Sequence, residues 1–579
     1  VRGLVGKWTF RSQSGPDRGP LLDRILALRG VTDQGSARSF LEPRLTDLHS
    51  PSLIPDLDRA AERILRALGA GEQIVIYGDY DVDGVTATAI LYHTMRAIRP
   101  DADVRTYVPH RLEEGYGLNS AAIAELAQAG AGVIVSVDCG VTAVGPARVA
   151  RSAGVDLIIT DHHTPPATEA ELPDAYAVVH PRRPGSQYPF GELCGAGVAY
   201  KLAWRLATMS CGSERVSDAL RALLIDLLPF AALGVIADVV PLVGENRVIA
   251  RFGLERTRHT RFVGLHALIE ASGLAGSNIG ELDVGFRLGP RLNASGRMGH
   301  ARDAVELFTT ADGPRAREIA EHLTRQNEAR RAVEQEILQQ AIEMAERSGM
   351  TGPDRRAIVL AHPDWHVGVV GIVCSRLVER YSRPVILMHR HGGVCSGSGR
   401  SVPDFNLHAA LAACSHLLEK FGGHDMAAGV HVRDERLDEF VEAFIAQANA
   451  ALAPDDLLPR VEIDCPAAIE ELTPDAVSQL ERLAPFGRSN PPVRVLLPSL
   501  RVAAAPRLMG AHGKHLELQV RSHKQGFGLL RLVGWGWGER MEALDTNVPL
   551  DAVIEPKLSR WNGRVRVEAE LKDAAPAAK

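Results

Sequence analysis

Cysteine is scarce in this chain and never paired at metal-ligand spacing. Seven cysteines are scattered through 579 residues, an odd number with no CxxC among them. That excludes a disulfide scaffold or a thiolate metal site and leads us to expect reduced thiols in a cytoplasmic protein. Charge of either sign is also unexceptional: the formal net charge is −6 and the sequence pI about 6.4. A wholly basic surface is thereby excluded, whereas a local basic groove is not. A long hydrophobic run is missing too. The nearest stretch, 219–243, is interrupted by Arg221, Asp226, Asp238 and two prolines, which argues against a membrane span. Residues 1–16 are polar with scattered Arg and Lys, unlike a secretory signal. The length suits about three or four domains, each with its own core.

What is present is organised around residues 73–88, QIVIYGDYDVDGVTAT. Ile74, Val75 and Ile76 form an apolar run of strand type, Gly78 breaks it, and Asp79, Asp81 and Asp83 follow at alternate positions. Gly84 opens a segment, 85–98, with a helical pattern. Acids between the carboxyl end of a strand and a helix occupy the place where open α/β sheets bind ligands. Three crowded negative charges need a counter-charge, which divalent cations with oxygen ligands supply. The stretch also matches the first half of a calcium loop. Position twelve of that loop is Ile90 where Glu is required, however, and a strand precedes it where a helix should. A solvated acidic turn is the plain alternative.

Upstream, residues 1–45 show only a short helix at 21–28 and read as an arm packed on the first domain, and a helix at 56–68 leads into the organising strand. Downstream, apolar runs at 131–137, 155–159 and 177–179 end in Asp138-Cys139-Gly140, Asp161-His162-His163 and His180-Pro181, with a helix near 143–153. This alternation predicts a parallel sheet with crossover helices. A single strand ending in Asp is turn chemistry; several such ends on one sheet edge point to a site. Gly191, Gly195 and Gly197 precede a helix and suit either a phosphate cradle or a packed helix start. Residues 226–240 are mostly apolar, so Asp238 near their end must be capped, paired or metal-bound.

Residues 314–348 read as one helix that starts at Asp312 and Pro314 and stops at Gly349. At ~1.5 Å per residue it spans about 50 Å and reads as a strut between two domains. A strand at 356–361 opens the second domain. Its glycine-rich stretches, SGSGRS (396–401) and GGH (422–424), are expected as loops whose amides and Arg400 take an anion, a flexible hairpin being the alternative. The last region turns to short alternating segments at 516–520, 528–533 and 564–570, with Trp535, Trp537 and Trp561. Between 501 and 572 there are 12 Lys and Arg against 8 Asp and Glu, an excess of four positive charges. A small basic β-barrel with aromatics suits single-stranded nucleic acid; tryptophans in a β core are the alternative.

GDYDVDG (78–84), VDCG (137–140), DHH (161–163) and GVIADVVPL (234–242) together resemble the DHH phosphoesterase superfamily. PHRLEEGYGLN (109–119), GPRLNASGRM (289–298), WHVGVVGIVCSRL (365–377), SGSGRS (396–401), GGHDMAAGV (422–430) and APFGRSNPP (484–492) narrow the resemblance to its RecJ branch of bacterial single-strand-specific exonucleases. The resemblance is sharp from about residue 70 to 495; the β-rich tail matches in place and character. It implies an α/β fold in five parts: an N-terminal arm (1–45), a parallel-sheet DHH catalytic domain (46–311), a connecting helix (312–349), a second α/β, DHH-associated domain (350–455), and a C-terminal OB-like barrel that binds nucleic acid (456–579).

The implied activity is release of 5′-mononucleotides from the 5′ end of single-stranded DNA with two Mn2+ or Mg2+ ions, in recombination and repair. By motif, Asp79, Asp81, Asp83, Asp138, His162 and Asp238 are the implied ligands or near-ligands, with Asp138 bridging. Asp161 and His163 would orient the ligand shell or meet the phosphate, so the implied catalytic set is Asp81, Asp83, Asp138, His162 and His163. One departure stands out: Tyr77 replaces a histidine that many DHH enzymes carry, and Asp79 is either a replacement ligand or an outer-shell group. Paired cations activate water and stabilise both oxygens of a displacement, and oxygen ligands with one imidazole suit Mn2+ or Mg2+.

Direction needs a reader of the terminal phosphate. The candidates are Arg111, Ser398 and Arg400, with His424 nearby, while Arg291, Asn293 and Arg297 would hold the strand leading in. A cleft between two domains held apart by the strut would admit one strand and exclude a duplex. The family also implies a helicase and a single-strand-binding protein as partners. Two rivals remain open: a DHH enzyme for dinucleotides, against which the strut and tail argue, and a binding protein with a degenerate site, against which the intact acids argue.

Overall fold

The apolar run at Ile74 becomes the strand Gln73–Gly78, and both of its faces are covered. Ile74 and Ile76 enter one core with Val133, Val135 and Val137; Val75 and Tyr77 enter another with Leu118, Ile123 and Ile134. A strand buried on both faces reads as a continuous apolar run instead of an alternation. Each such side chain contributes about 1.5–3 kcal/mol on burial. The computed structural model describes residues 2–12, 19–111, 113–213, 215–522, 528–544, 548–561 and 563–577. The chain divides into two compact units: Arg38–Arg330 with Pro485–Pro491, and Val1–Ala37 with Arg331–Ala484 and Pro492–Lys579.

The first unit holds a five-stranded, all-parallel sheet. Gln73–Gly78 pairs with Val104–Tyr107 on one side and Ala131–Val137 on the other, and Asp156–Thr160 and Ala177–Val179 follow outward. The winding direction therefore reverses between Gln73–Gly78 and Ala131–Val137, and a doubly wound sheet binds at that switch point. The edge strand Val104–Tyr107 is not predicted from the sequence, because VRTY at an edge buries none of its residues fully. The helix Asp218–Ala237 is long and apolar enough to cross a membrane, yet here Leu227 through Val235 are packed inside the fold.

In the second unit, Ile358–His362, Val385–His391, Val394–Arg400, Ala427–Arg433 and Lys420–His424 form a mixed sheet. The two glycine-rich stretches are therefore strands, a correction to the expected loops. Close backbone approach explains them: a Cβ at Gly397 would lie 2.0 Å from the Leu387 carbonyl oxygen. The helix Gly313–Arg347 runs through both units, burying Ile319 and Leu323 in one and Ile337, Ala341 and Ala345 in the other.

The C-terminal strands Val495–Val502, His515–Arg521, Leu530–Gly534, Leu550–Trp561 and Arg564–Pro576 pair in a closed circuit. First pairs with second, second with third, third in parallel with fifth, fifth with fourth, and fourth with first. That is the strand order of an OB-type Greek key. Trp537 is buried at 4%, whereas Trp535 is 58% exposed with its ring 4.8 Å from His515. The side chain of Trp561 lies outside the described residues.

The arm also needs correction. Lys7–Phe10 pairs in parallel with Arg460–Ile463, and the buried Asp573 accepts hydrogen bonds from Val5 N, Gly6 N and Trp8 Nε1 at 2.9, 3.0 and 2.8 Å. Bonds to a buried carboxylate are strong, and an unmet one is costly. They tie the first residues to the C-terminal region, not to the parallel sheet.

Candidate metal centre

Three strand ends and two helix ends supply the site. Asp79 follows the strand Gln73–Gly78 directly and is buried. Asp81 caps the helix Val82–Ile98, its Oδ1 accepting from Asp83 N at 2.9 Å and Gly84 N at 3.2 Å. This cap starts the helix earlier than the expected residue 85, because a side-chain acceptor satisfies the first free amides. Asp83 in turn accepts from Gly195 N at 2.6 Å and Ala196 N at 2.8 Å, at the start of the helix Gly195–Ser210. The glycine cluster thus presents its helix terminus to a carboxylate of the chain itself, in keeping with a packed helix start.

Asp138 sits at φ 63°, in the left-handed region that Asp tolerates better than most residues. Its surroundings hold it there: Asp138 N donates to the Thr160 carbonyl at 3.0 Å, and the Tyr116 hydroxyl donates to the Asp138 carbonyl at 3.3 Å. Asp161 builds the next turn. Its Oδ1 accepts from His162 N at 2.7 Å, His163 N at 3.1 Å and His163 Nδ1 at 2.8 Å, and its Oδ2 from Val141 N at 2.9 Å. Asp238 ends the helix Asp218–Ala237, followed by Val239 at φ 58°, a strained conformation for a β-branched residue.

These elements bring His162 Nε2 to 3.1 Å from Asp138 Oδ1, 3.5 Å from Asp238 Oδ2 and 3.8 Å from Asp83 Oδ2. Ligand atoms of Asp79, Asp81 and Asp138 lie within 4.8 Å of one another, as do those of Asp83, His162 and Asp238, and those of Asp138, His162 and His163. All six expected ligands therefore converge, and Asp138 and His162 each belong to two groups.

The electrostatics are those of a site that needs cations. Burial first, then neighbouring acids, pushes the Asp79 and Asp138 carboxyls well above the usual range. Burial and the charge of Asp83 push Asp238 up to about 8. Burial holds the His162 imidazole down at about 4, so it is neutral and able to ligate. Burial would lower His163 as well, but its hydrogen bond and ion pair with Asp161 prevail and raise it to about 9. Asp161 is held below the usual carboxylate range by the same pairing, against the effect of its burial. Asp79 Oδ1, Asp138 Oδ1 and His162 Nε2 are buried and make no hydrogen bond of acceptable geometry among the described residues, although the last two face each other at 3.1 Å. Orphaned oxygens around one neutral imidazole fit hard divalent cations such as Mn2+ or Mg2+.

The expected phosphate-binding residues are less uniform. Arg111 stacks over Tyr80, 4.7 Å from the ring centroid, and attracts the Asp79 carboxylate. Asn293 Oδ1 accepts from Val82 N at 3.1 Å, so its oxygen is engaged in starting the helix. Arg291 donates to the Arg287 carbonyl at 2.7 Å and the Thr324 hydroxyl at 3.2 Å. Arg297 acts on Tyr80 as a nearby positive charge. Ser398, Arg400 and His424 belong to the other unit. There Ser398 and Arg400 lie against the helix Val367–Tyr381, 3.3 Å from where a Cβ of Gly371 would be, and His424 is exposed.

Sequence reasoning missed two groups. Tyr116, in PHRLEEGYGLN, reaches His163 Nδ1 at 3.0 Å. Arg488, in APFGRSNPP, attracts Asp238, and its carbonyl accepts from Leu242 N at 2.8 Å. Both motifs had signalled the family, but only the fold brings them to the acids.

Comparisons with known proteins agree with this geometry. The DHH family N-terminal domain matches residues 73–229, the DHHA1 domain 354–450 and the RecJ OB domain 463–573. The single-stranded-DNA-specific exonuclease RecJ of Bacillus subtilis is 39% identical over 561 residues, covering 96% of this chain and 68% of that protein. The crystal structure of Thermus thermophilus RecJ in complex with Mn2+ superposes with a TM-score of 0.79 at 30% identity, covering 97% of this chain and 76% of the other. The Mg2+ complex of the same protein gives 0.73 at 29% identity over 96% and 75%. This chain belongs to the RecJ family of DHH-type exonucleases.

Proposed function

We propose that the chain is a metal-dependent 5′-to-3′ exonuclease that hydrolyses single-stranded DNA to 5′-mononucleotides in recombination and repair. The observation that carries this reading is the convergence of Asp79, Asp138 and His162, with buried unpartnered ligand atoms, at the switch point of the parallel sheet. Mn2+ or Mg2+ ions, when bound, supply water activation and stabilisation of the oxygens of the broken phosphodiester. Asp79, Asp81, Asp83, Asp138, His162 and Asp238 are the residues that would hold them, Asp138 and His162 each belonging to two of the converging groups. Asp161 fixes the turn that aims His162 and keeps His163 protonated, so His163 presents a positive charge to the substrate phosphate. Tyr116 braces His163 and the Asp138 backbone.

The proposed phosphate contacts are Arg111 in the first unit and, separately, Ser398, Arg400 and His424 in the second, and the proposed contacts to the DNA strand are Arg291, Asn293 and Arg297 in the first. The OB-type region binds single-stranded nucleic acid in this reading, and the exposed Trp535 offers it a stacking face. In this reading the chain divides into an arm (1–45), a DHH domain (46–311), a connecting helix (312–349), a DHH-associated domain (350–455) and an OB-like domain (456–579). It works in the cytoplasm on strands opened by a helicase and coated by single-strand-binding protein.

The test uses 5′-labelled and 3′-labelled single strands, each with and without Mn2+, beside an Asp138→Ala variant. Early release of labelled mononucleotide from the 5′ end alone, dependent on metal and lost in the variant, is expected. Cleavage of dinucleotides only, or binding without cleavage, would refute the reading.

A further inference from the structure

His180 ends the strand Ala177–Val179 and is fully buried, yet it is too far along the chain to belong to the DHH motif. Its Nδ1 accepts from Arg182 N at 2.9 Å, which places the ring proton on Nε2. Nε2 then donates to the His163 carbonyl at 2.7 Å. Two residues on, Arg182 Nη2 donates to the His162 carbonyl at 2.9 Å. The turn that carries the two histidines is therefore gripped from both sides. Asp161 takes its amides, and His180 and Arg182 take its carbonyls. Gly191 lets the grip close, since a Cβ there would lie 2.6 Å from Arg182 Cγ.

We propose that His180 and Arg182 are positioning residues of the metal centre, clamping the His162–His163 peptide so that His162 Nε2 is delivered between Asp138 and Asp238. The inference rests on the reading that His162 ligates a cation. A ligand on a turn has two backbone torsions of freedom that its own side-chain contacts do not remove. Hydrogen bonds to flanking carbonyls remove them, and outer partners of this kind are worth about 10–100-fold in metal affinity.

The experiment titrates Mn2+ into the metal-free 579-residue chain by calorimetry, for the wild type and for His162→Ala, His180→Ala, His180→Gln and Arg182→Met, with a thermal melt of each metal-free protein. His180→Ala is expected to weaken Mn2+ binding about 10–100-fold, and Arg182→Met to weaken it in the same direction. His180→Gln, whose amide can still donate to the His163 carbonyl, is expected to recover most of the affinity. That rescue separates positioning from bulk packing. Wild-type affinity in His180→Ala, with His162→Ala impaired, would overturn the clamp while leaving the metal site standing. Equal loss in His180→Ala and His180→Gln would also overturn it. If His180→Ala fails to fold, undiminished Mn2+ affinity in Arg182→Met overturns the clamp instead. Wild-type affinity in His162→Ala would sink the metal reading and the clamp together.

Discussion

Gly195→Ala puts the arrangement of the acids to a severe test, because helix propensity and sterics predict opposite signs. Gly195 opens the helix Gly195–Ser210, where alanine is ordinarily favoured over glycine by about 0.5–1 kcal/mol. An added Cβ, however, would lie 2.6 Å from both Cβ and Oδ1 of Asp138, against an ordinary contact of 3.4–4 Å. Something must move by about 1 Å. Asp138 is held at φ 63° by Thr160, and the helix start is held by the Asp83 carboxylate through Gly195 N and Ala196 N. Whichever yields, an acid of the proposed metal centre is displaced. Overpacking of this size costs about 1–3 kcal/mol of stability. A displacement of about 1 Å at reacting groups costs on the order of 100-fold in rate. The assay is the single-turnover rate on a 5′-labelled strand at saturating Mn2+, with a thermal melt beside it. Gly197→Ala is the control, since its Cβ would meet the movable Leu193 side chain at 3.3 Å and Cys194 Sγ at an ordinary 3.8 Å. A Gly195→Ala protein that cleaves at the wild-type rate would refute the packing of Asp138 against this helix.

Three further outcomes follow from named groups. Because the Asp238 carboxyl is pushed up to about 8, below that pH it carries a proton that a cation must displace. Apparent Mn2+ affinity should therefore climb by about tenfold per pH unit for each proton released, and flatten above about pH 8; titrations from pH 6 to 9 that show no slope would contradict this. Arg400→Ala should lose the preference for a 5′-phosphorylated over an unphosphorylated end, and an unchanged ratio of rates would remove Arg400 from end recognition. Trp535→Ala should weaken binding of long oligonucleotides by about 1–3 kcal/mol without lowering the melting temperature. The buried Trp537→Ala should instead lose about 3–5 kcal/mol of stability; the reverse pattern would show that the two tryptophans have been assigned the wrong way round.

The sequence by itself determined the parallel sheet's inner strands, the long helix and the identity of the acids. Inner strands covered on both faces must be apolar throughout, so 74–76 and 131–137 announce themselves. Acids placed directly after such strands end up at one sheet edge whatever the crossover geometry, which is why Asp79, Asp138 and Asp161 were legible together. The Val104–Tyr107 strand was not, since an edge strand need not be apolar. Nor were the glycine-rich strands, because glycine signals a loop locally and only the approach of Leu387 shows why no side chain fits at Gly397.

Tertiary structure alone decided the rest, because contacts distant in the chain leave no local pattern. The arm's choice of Asp573 is one case, with 568 residues separating Val5 from its acceptor. The approach of Arg488 to Asp238 is another, and so is the grip of His180 on the His163 carbonyl. In each, the partner is selected by where the fold leaves a buried donor or charge unmet, and that is settled only when the elements pack.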